Sequence, residues 1–139
     1  PISKENSKKL RKNFIKLSGS KNGFEETVIS AGREILIPQA FSGIALMHFD
    51  ELCKKKLAAR DYIEIASRYR CLLLEGIPEM RDENRNEARR FIWLIDALYD
   101  AGCFLICTSE RNIDNLYKGK DWSFEFNRTT SRLTEMTKT

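Results

Sequence analysis

The chain has 139 residues, of which 42% are hydrophobic and 32% are charged, and its formal net charge is +4. This length suits one domain with a buried core. No run of 18 apolar residues occurs, so we expect no membrane-spanning helix, and the polar, basic start predicts no signal peptide. Because the sequence begins at Pro1 rather than Met, we interpret it as a processed chain or a fragment of something longer.

The positive charge is concentrated in a predicted N-terminal arm, residues 1–22. Residues 1–21 carry seven basic residues and one acidic residue, whereas the remainder is slightly acidic. Leu10, Phe14 and Leu17 share one stripe of a helix predicted near residues 5–17, which Gly19 ends. We favour a helix packed on its own domain with its lysines in water. A basic amphipathic helix can also lie on an anionic membrane or on nucleic acid.

Three short apolar runs follow the arm and predict a small antiparallel meander. Thr27–Ser30 and Arg33–Ile37 flank Ala31-Gly32, a spacing that suits a tight hairpin. We expect Pro38 to end the second strand and Gly43–Phe49 to form the third.

Residues 49–70 form a predicted helical region. We expect Asp50 to cap a short turn that buries Leu52. Four apolar side chains then recur on one helical face: Tyr62, Ile65, Ala66 and Tyr69.

Two apolar runs without alternation, Cys71–Leu74 and Cys103–Cys107, predict strands covered on both faces, as in a parallel sheet. Between them, apolar residues at helical spacing predict a crossover helix near residues 84–100. Asn84 is the expected N-cap, with Glu87 completing a capping box, and Gly102 is the expected C-cap. The fold class is therefore α/β: a βαβ unit with short parallel strands and a central helix, plus the antiparallel meander and flanking helices.

After Ser109 the chain becomes polar. Leu116-Tyr117 is expected to anchor a loop, and Trp122, Phe124 and Phe126 suggest an apolar cluster in a short extended piece. A final helix is predicted from Arg128 to Met136, capped by Asn127. Residues 23–139 thus form one predicted α/β domain.

The four cysteines, Cys53, Cys71, Cys103 and Cys107, are expected to be buried and reduced. Their spacing does not suit zinc, and His48 is the only histidine, so we predict no metal site.

Four segments of the chain form a recognisable set: NRNEARRFIWLIDALY at residues 84–99, FDELC at 49–53, ARDY at 59–62 and FEFNRTTSRLTEM at 124–136. Together they resemble the ZapE/Afg-one-like P-loop ATPases, and the segment at 84–99 is the clearest. They keep the family's order and approximate spacing over most of residues 28–136. The pattern departs at Ala58 and Arg60, where the family is expected to have a small flexible pair. What matches is the C-terminal part of the family, beyond its nucleotide-binding half.

The resemblance implies ATP binding and hydrolysis by the complete AAA+ type protein, with magnesium, coupled to protein handling in cell division or quality control. Its implied partners are the ATPase half of the same protein, client or division proteins, and a second copy in a homo-oligomer. The implied location is the bacterial cytoplasm, with the mitochondrion as the alternative. At most, membrane contact is expected to be peripheral.

This chain alone is predicted to be inactive and to bind no cofactor. It lacks the GxxxxGK motif followed by Ser or Thr, whose amides cradle phosphates. Glu75 supplies one acid after a strand but is followed by glycine, and Thr108-Ser109 only resembles a polar sensor position. We interpret both as features shared by βαβ units, with Glu75 in a loop.

Four arginines in the matched segments are the candidate nucleotide or arginine-finger residues: Arg89, Arg90, Arg128 and Arg132. A planar, always-charged guanidinium suits a growing phosphate charge, but pairing with nearby carboxylates is the structural alternative, which we favour. Trp93, on the polar face of the central helix, is a candidate interaction residue or a side chain packed under a loop. Two other functions stay open: a stand-alone protein-interaction module and, less favoured, a nucleic-acid-binding domain.

Overall fold

The computed structural model describes residues 4–137; the first three residues of the predicted arm and the last two of the predicted domain lie outside this range. The elements in chain order are α1 (Lys4–Ser18), β1 (Phe24–Ser30), β2 (Arg33–Phe41), β3 (Ile44–His48), α2 (Phe49–Cys53), α3 (Ala59–Arg68), β4 (Cys71–Ile77), α4 (Arg85–Ala101), β5 (Phe104–Ser109) and α5 (Ser123–Met136). Two short 3-10 turns lie at Asp82–Asn84 and Ile113–Asn115. None of the helices in this range is long and apolar enough to span a bilayer.

The strands form one mixed sheet in the order β1-β2-β3-β4-β5. β1, β2 and β3 pair antiparallel, whereas β3, β4 and β5 pair parallel. The predicted α/β class, with its meander and βαβ unit, is thereby confirmed. The β1–β2 turn has positive φ at both Ala31 (50°) and Gly32 (79°), as the turns of tight two-residue hairpins require.

The two faces of the sheet are covered unequally. Helices α2 to α5 cover one face, where the large core includes Tyr62, Phe91 and Leu98. Within residues 4–137, helix α1 alone covers the other face over β3, β4 and β5, and buries Leu10 and Phe14 there. The arm helix therefore packs on its own domain, as we favoured. Leu17, predicted to share the buried stripe, is exposed because the last turn of α1 reaches the rim of the sheet.

Pro38 does not end β2, which continues to Phe41 and pairs with β3. The β1–β2 register shifts between Phe24 and Glu26, opposite the segment that contains Pro38. A bulge tolerates the missing N–H of proline, which explains why the strand continues.

Two predicted helix starts are wrong, and a third is right in position but lacks the predicted side-chain cap. His48, not Asp50, caps α2: its Nδ1 accepts a hydrogen bond from the Asp50 N–H at 3.0 Å. Asn84 is the N-cap residue of α4 as predicted, but its side chain makes no capping hydrogen bond to α4 and instead accepts from the Arg81 N–H at the start of the preceding 3-10 turn. Helix α5 begins at Ser123 rather than Arg128, because Phe126, Thr129 and Leu133 give it one continuous buried face.

Other boundaries agree with the sequence. Leu52 is buried as predicted, and so is the stripe of α3 and its C-cap: Tyr62, Ile65, Ala66 and Tyr69. Gly102 ends α4 in the left-handed conformation, with φ of 68°.

Cys103 lies just before β5 rather than inside it. The four cysteines are unbridged, and burial raises the pKa of Cys103 to about 12 and that of Cys107 to about 11.

Candidate functional site

The predicted arginines of α5 and the polar stripe of α4 lie side by side. Helix α5 packs on α4 through its buried face, so its outward residues stand beside the α4 stripe. We call the resulting area the α4–α5 surface. On α4 it comprises Arg85, Arg89, Trp93, Asp96 and Tyr99; on α5 and the residues before it, Asp121, Trp122, Phe124, Glu125, Arg128 and Arg132.

Asp96 sits between the two arginines of α5. Arg132 Nη1 donates to Asp96 Oδ1 at 2.5 Å, and Arg128 Nη2 donates to Asp96 Oδ2 at 3.3 Å. The side chain of Arg132 is only 23% exposed and its guanidinium lies 4.7 Å from the centre of the Tyr99 ring. Arg128 is 60% exposed. Arg132 is thus held in place, whereas most of the Arg128 side chain is exposed to solvent.

Arg89 lies in a different environment, about two helical turns before Asp96 on α4. Its guanidinium lies 4.9 Å from the centre of the Trp93 ring, a cation–π contact. Its Nε is buried without a hydrogen-bond partner among the described residues, and so is Trp122 Nε1. Both residues line a cavity of about 530 Å³, together with Arg85, Asn86, Asp121 and Glu125. Trp93 itself is half-buried and packs against the core, so it is partly a structural residue.

Arg90 does not belong to the α4–α5 surface. Its Nη1 donates to the carbonyl oxygen of Cys53, the last residue of α2, at 3.1 Å. A cation at a helix C-terminus satisfies an otherwise unpaired carbonyl. The structure therefore brings together three of the four candidate arginines and places Arg90 under α2.

The carboxyl ends of β4 and β5 are occupied by structural contacts. Glu75 lies within β4 rather than in a loop, and its Oε1 accepts a hydrogen bond from Ser7 of α1 at 3.4 Å. Thr108 Oγ1 accepts from the Gly76 N–H at 2.9 Å. Gly76 has φ of 81°, and a Cβ at this position would lie 2.5 Å from His48 Nε2. These contacts fit the interpretation of Glu75 and Thr108 as parts of a βαβ framework.

A buried carboxylate at Asp61 was missed by the sequence reasoning. Ser30 Oγ donates to Asp61 Oδ1 at 2.7 Å, and the Ala58 N–H donates to Oδ2 at 2.7 Å. Arg33 also forms an ion pair with Oδ2. Burial by itself would raise the pKa of Asp61, but these donors together lower it below its ordinary value. We call this cluster the Asp61 rivet, because it joins the β1–β2 hairpin to α3.

One local signal could have revealed part of the rivet: Asp61 is the third residue of α3 and accepts from its N-cap residue. Its other partners are 28 and 31 residues away in the sequence, which no local pattern shows.

The α4–α5 surface can bind negative charge but supplies neither a nucleophile with its base nor a metal centre. Guanidinium groups present fixed forks of N–H donors that match phosphate and carboxylate oxygens. Among the described residues, no group of three His, Cys, Asp or Glu side chains could hold a metal ion. The surface is therefore suited to assisting a site completed by other groups.

Comparison with known proteins gives a consistent result. The profile of the AFG1-like ATPases matches residues 1–139. The chain is similar to the cell division protein ZapE of Escherichia coli K12, with 29% identity over 98% of this chain and 36% of that protein. It is also similar to an uncharacterised protein of Schizosaccharomyces pombe, with 34% identity over 77% of this chain and 30% of the relative. No solved structure matches significantly. The chain spans about a third of the length of these curated relatives.

Proposed function

The chain belongs to the AFG1-like ATPase family, and we propose that it is a working part of an AAA+ ATPase that binds and hydrolyses ATP with magnesium. The observation that carries this proposal is the match of the family profile to every residue of the chain. The segments that resemble the family include surface residues as well as residues of the core. They supply Arg89, Trp93 and Asp96 on α4 and Arg128 and Arg132 on α5.

The chain has no phosphate-cradling loop of the GxxxxGK type. ATP chemistry therefore requires groups contributed by another part of the complete protein, and that part is the first partner we propose. In this arrangement the α4–α5 surface faces the nucleotide at a boundary between parts or between copies. Arg128 is the better candidate for contact, because it is 60% exposed and shares Asp96 with Arg132. Magnesium would be held by the nucleotide and that other part.

The cellular role that we propose is supported by similarity to a relative named as a cell division protein. We propose that the complete protein uses ATP hydrolysis to act on other proteins, in bacterial cell division or, as the alternative, in mitochondrial protein quality control. The matching compartments are the bacterial cytoplasm and the mitochondrion.

The first experiment measures phosphate release with magnesium and ATP. The 139-residue chain alone is expected to show no turnover, and addition of the P-loop half of a family member, in cis or as a separate chain, is expected to restore it. Turnover by the isolated chain that survives repurification would contradict the proposal.

The arginines are tested in the restored system. Arg128→Ala is expected to lower turnover by about 10³-fold while ATP affinity changes less, because an arginine finger stabilises charge that grows in the transition state. Arg128→Lys should rescue poorly, since an ammonium lacks the planar fork. Arg90→Ala is the control, because its guanidinium is bound to Cys53. Turnover is expressed per folded molecule. Full specific activity in both Arg128→Ala and Arg132→Ala would refute an arginine-finger role for these two residues.

A second function, a stand-alone protein-interaction module, is favoured by one observation. Phe124 is 83% exposed and lines a cavity of about 430 Å³ together with Arg128 and Glu125. Exposed aromatics flanked by arginine are frequent binding hot spots. Under this alternative the restored system would show no turnover that depends on this chain, whereas Phe124→Ser would weaken capture of a partner.

A further inference from the structure

The side of helix α1 that faces away from the sheet is strongly basic. Leu10 and Phe14 are buried against β3, β4 and β5. Lys12 is two residues from each of them, which is about 160° around a helix, so it points away from the sheet. The lysines that share this outward side are all exposed: Lys8, Lys9, Lys12 and Lys16. We call these four residues the basic face of α1.

The charge of the basic face is not compensated by neighbouring carboxylates. Glu5 is the only acidic residue of α1. None of the four lysines forms an ion pair with another residue of the described range. The chain after residue 21 is slightly acidic, so the excess positive charge of the whole chain lies at this helix. Such an uneven distribution turns the basic face towards a negatively charged surface.

Exposed apolar side chains border the basic face at the last turn of α1. Ile15 and Leu17 are the sequence neighbours of Lys16, lie on either side of it around the helix, and are both exposed. Leu17 lines a cavity of about 400 Å³ with Phe104, which is also exposed. Lysines bordered by exposed apolar side chains are typical of protein surfaces that rest on a lipid bilayer.

The residue types favour an anionic bilayer over other negatively charged partners. A lysine is a point charge on a flexible stem and suits mobile lipid headgroups, whereas carboxylates and phosphates in fixed positions are matched by arginine forks. The arginine of this helix, Arg11, instead donates to the side chain of Gln39 on β2. The phosphates of a nucleic acid offer no apolar surroundings to Ile15 and Leu17. A second copy of the chain presents the same positive face and is repelled.

We propose that the basic face of α1 is a peripheral docking surface for a bilayer that contains anionic lipids. The lysines lie at the level of the headgroups, and Ile15 and Leu17 add a small apolar contact at the interface. The helix does not insert, because its apolar stripe at Leu10 and Phe14 is buried in the domain. Attachment is therefore reversible and weakened by salt. The surface lies on the face of the sheet opposite the α4–α5 surface and does not depend on the ATPase proposal.

The first test is co-sedimentation of the 139-residue chain with lipid vesicles. The chain is expected to bind phosphatidylcholine vesicles that contain roughly 30% phosphatidylglycerol, to ignore pure phosphatidylcholine, and to be released as salt rises from about 50 to 500 mM. Lys12→Gln combined with Lys16→Gln should lower the partition coefficient at least ~10-fold, since each lysine near an anionic surface contributes about 5-fold. Lys55→Gln combined with Lys56→Gln is the matched control. It changes the net charge equally, and these exposed lysines follow α2 on the other face of the sheet.

Tryptophan fluorescence tests the orientation on the bilayer. The two tryptophans of the chain, Trp93 and Trp122, both belong to the α4–α5 surface. Brominated lipid in the anionic vesicles should therefore leave the emission of the natural chain unchanged and should quench the added emission of Ile15→Trp. Absence of binding to anionic vesicles at about 50 mM salt, an equal loss in the control pair, or quenching of the natural chain would overturn the proposal. So would tighter binding to a DNA duplex or to polyglutamate than to vesicles at the same concentration of negative charge.

Discussion

Replacing Asp61 by alanine removes the acceptor at the centre of the Asp61 rivet. The carboxylate is fully buried and accepts from the Ser30 hydroxyl, the Ala58 N–H and the Arg33 guanidinium. A hydrogen bond to a charged group contributes about 1.5–3 kcal/mol, and a buried donor left without an acceptor costs a similar amount. Arg33 is 47% exposed and can be solvated when its partner is removed, so the loss of this ion pair adds little to the cost of the substitution. We therefore expect Asp61→Ala to lower the free energy of unfolding by about 3–5 kcal/mol.

Asp61→Asn and Ser30→Ala give graded controls. Asparagine keeps the side-chain volume and one oxygen that can accept from Ala58, while the Ser30 hydroxyl can rotate to accept from the new amide. The expected loss is about 1–3 kcal/mol, and Ser30→Ala should cost about 1 kcal/mol. Urea unfolding followed by circular dichroism at pH 7 measures all three values. A loss below about 1 kcal/mol in Asp61→Ala would refute the reasoning.

The rivet also predicts a pH dependence with a definite sign. The pKa of Asp61 is lower in the folded protein than in the unfolded chain. Its contribution is then present above the unfolded pKa of about 3.9 and is lost as pH falls through the folded value. The stability difference between the natural chain and Asp61→Asn should stay constant from about pH 7 to 5 and shrink below about pH 4. An equal difference at about pH 3 and pH 7 would contradict the assignment.

Two further predictions concern the arm and Gly76 of β4, which lies where the β4–β5 register shifts between Leu74 and Ile77. The arm should not drive tight nucleic-acid binding, because its few positive charges give weak, salt-sensitive attraction; sub-micromolar affinity for a DNA or RNA oligomer at physiological salt would favour a nucleic-acid function. Gly76→Ala should cost about 2–4 kcal/mol, since it combines a positive φ with contact against His48. A His48→Ala background should remove the steric part of that cost, and additive losses in the double variant would contradict the close approach.

The sequence predicts best those elements whose pattern depends on residues close together in the sequence. Helix α4 carries a long apolar stripe, β4 is a short run of mostly buried residues and β5 begins with a short apolar run, so their type and order follow from the sequence pattern. As an edge strand, β5 is covered less completely than predicted, and Phe104 is 71% exposed. The predicted boundaries fail where contacts between residues far apart in the sequence determine the structure. Phe126 belongs to α5 because its ring packs against Phe91 and Tyr117, which a segment reading SFEFNRTT does not show.

The candidate site was predicted by residue type but not by arrangement. A guanidinium is recognisable in any sequence, whereas its partner depends on packing between helices. Arg128 and Arg132 reach Asp96 across 32 and 36 residues of sequence, and Arg90 turns away to Cys53, 37 residues back. Neighbouring arginines in the sequence, Arg89 and Arg90, thus lie in different environments because adjacent helical residues point about 100° apart.

The position of α1 has a consequence for the order of folding. The meander forms from neighbouring strands, but α1 contacts strands much later in the chain, with Ser7 and Glu75 68 residues apart. Closing such a long loop is unfavourable until β3, β4 and β5 already present their second face. We therefore expect helix α1 to dock late, after the rate-limiting step, so that its contacts at Leu10 and Phe14 stabilise mainly the finished sheet. Substitutions there will accelerate unfolding much more than they slow folding.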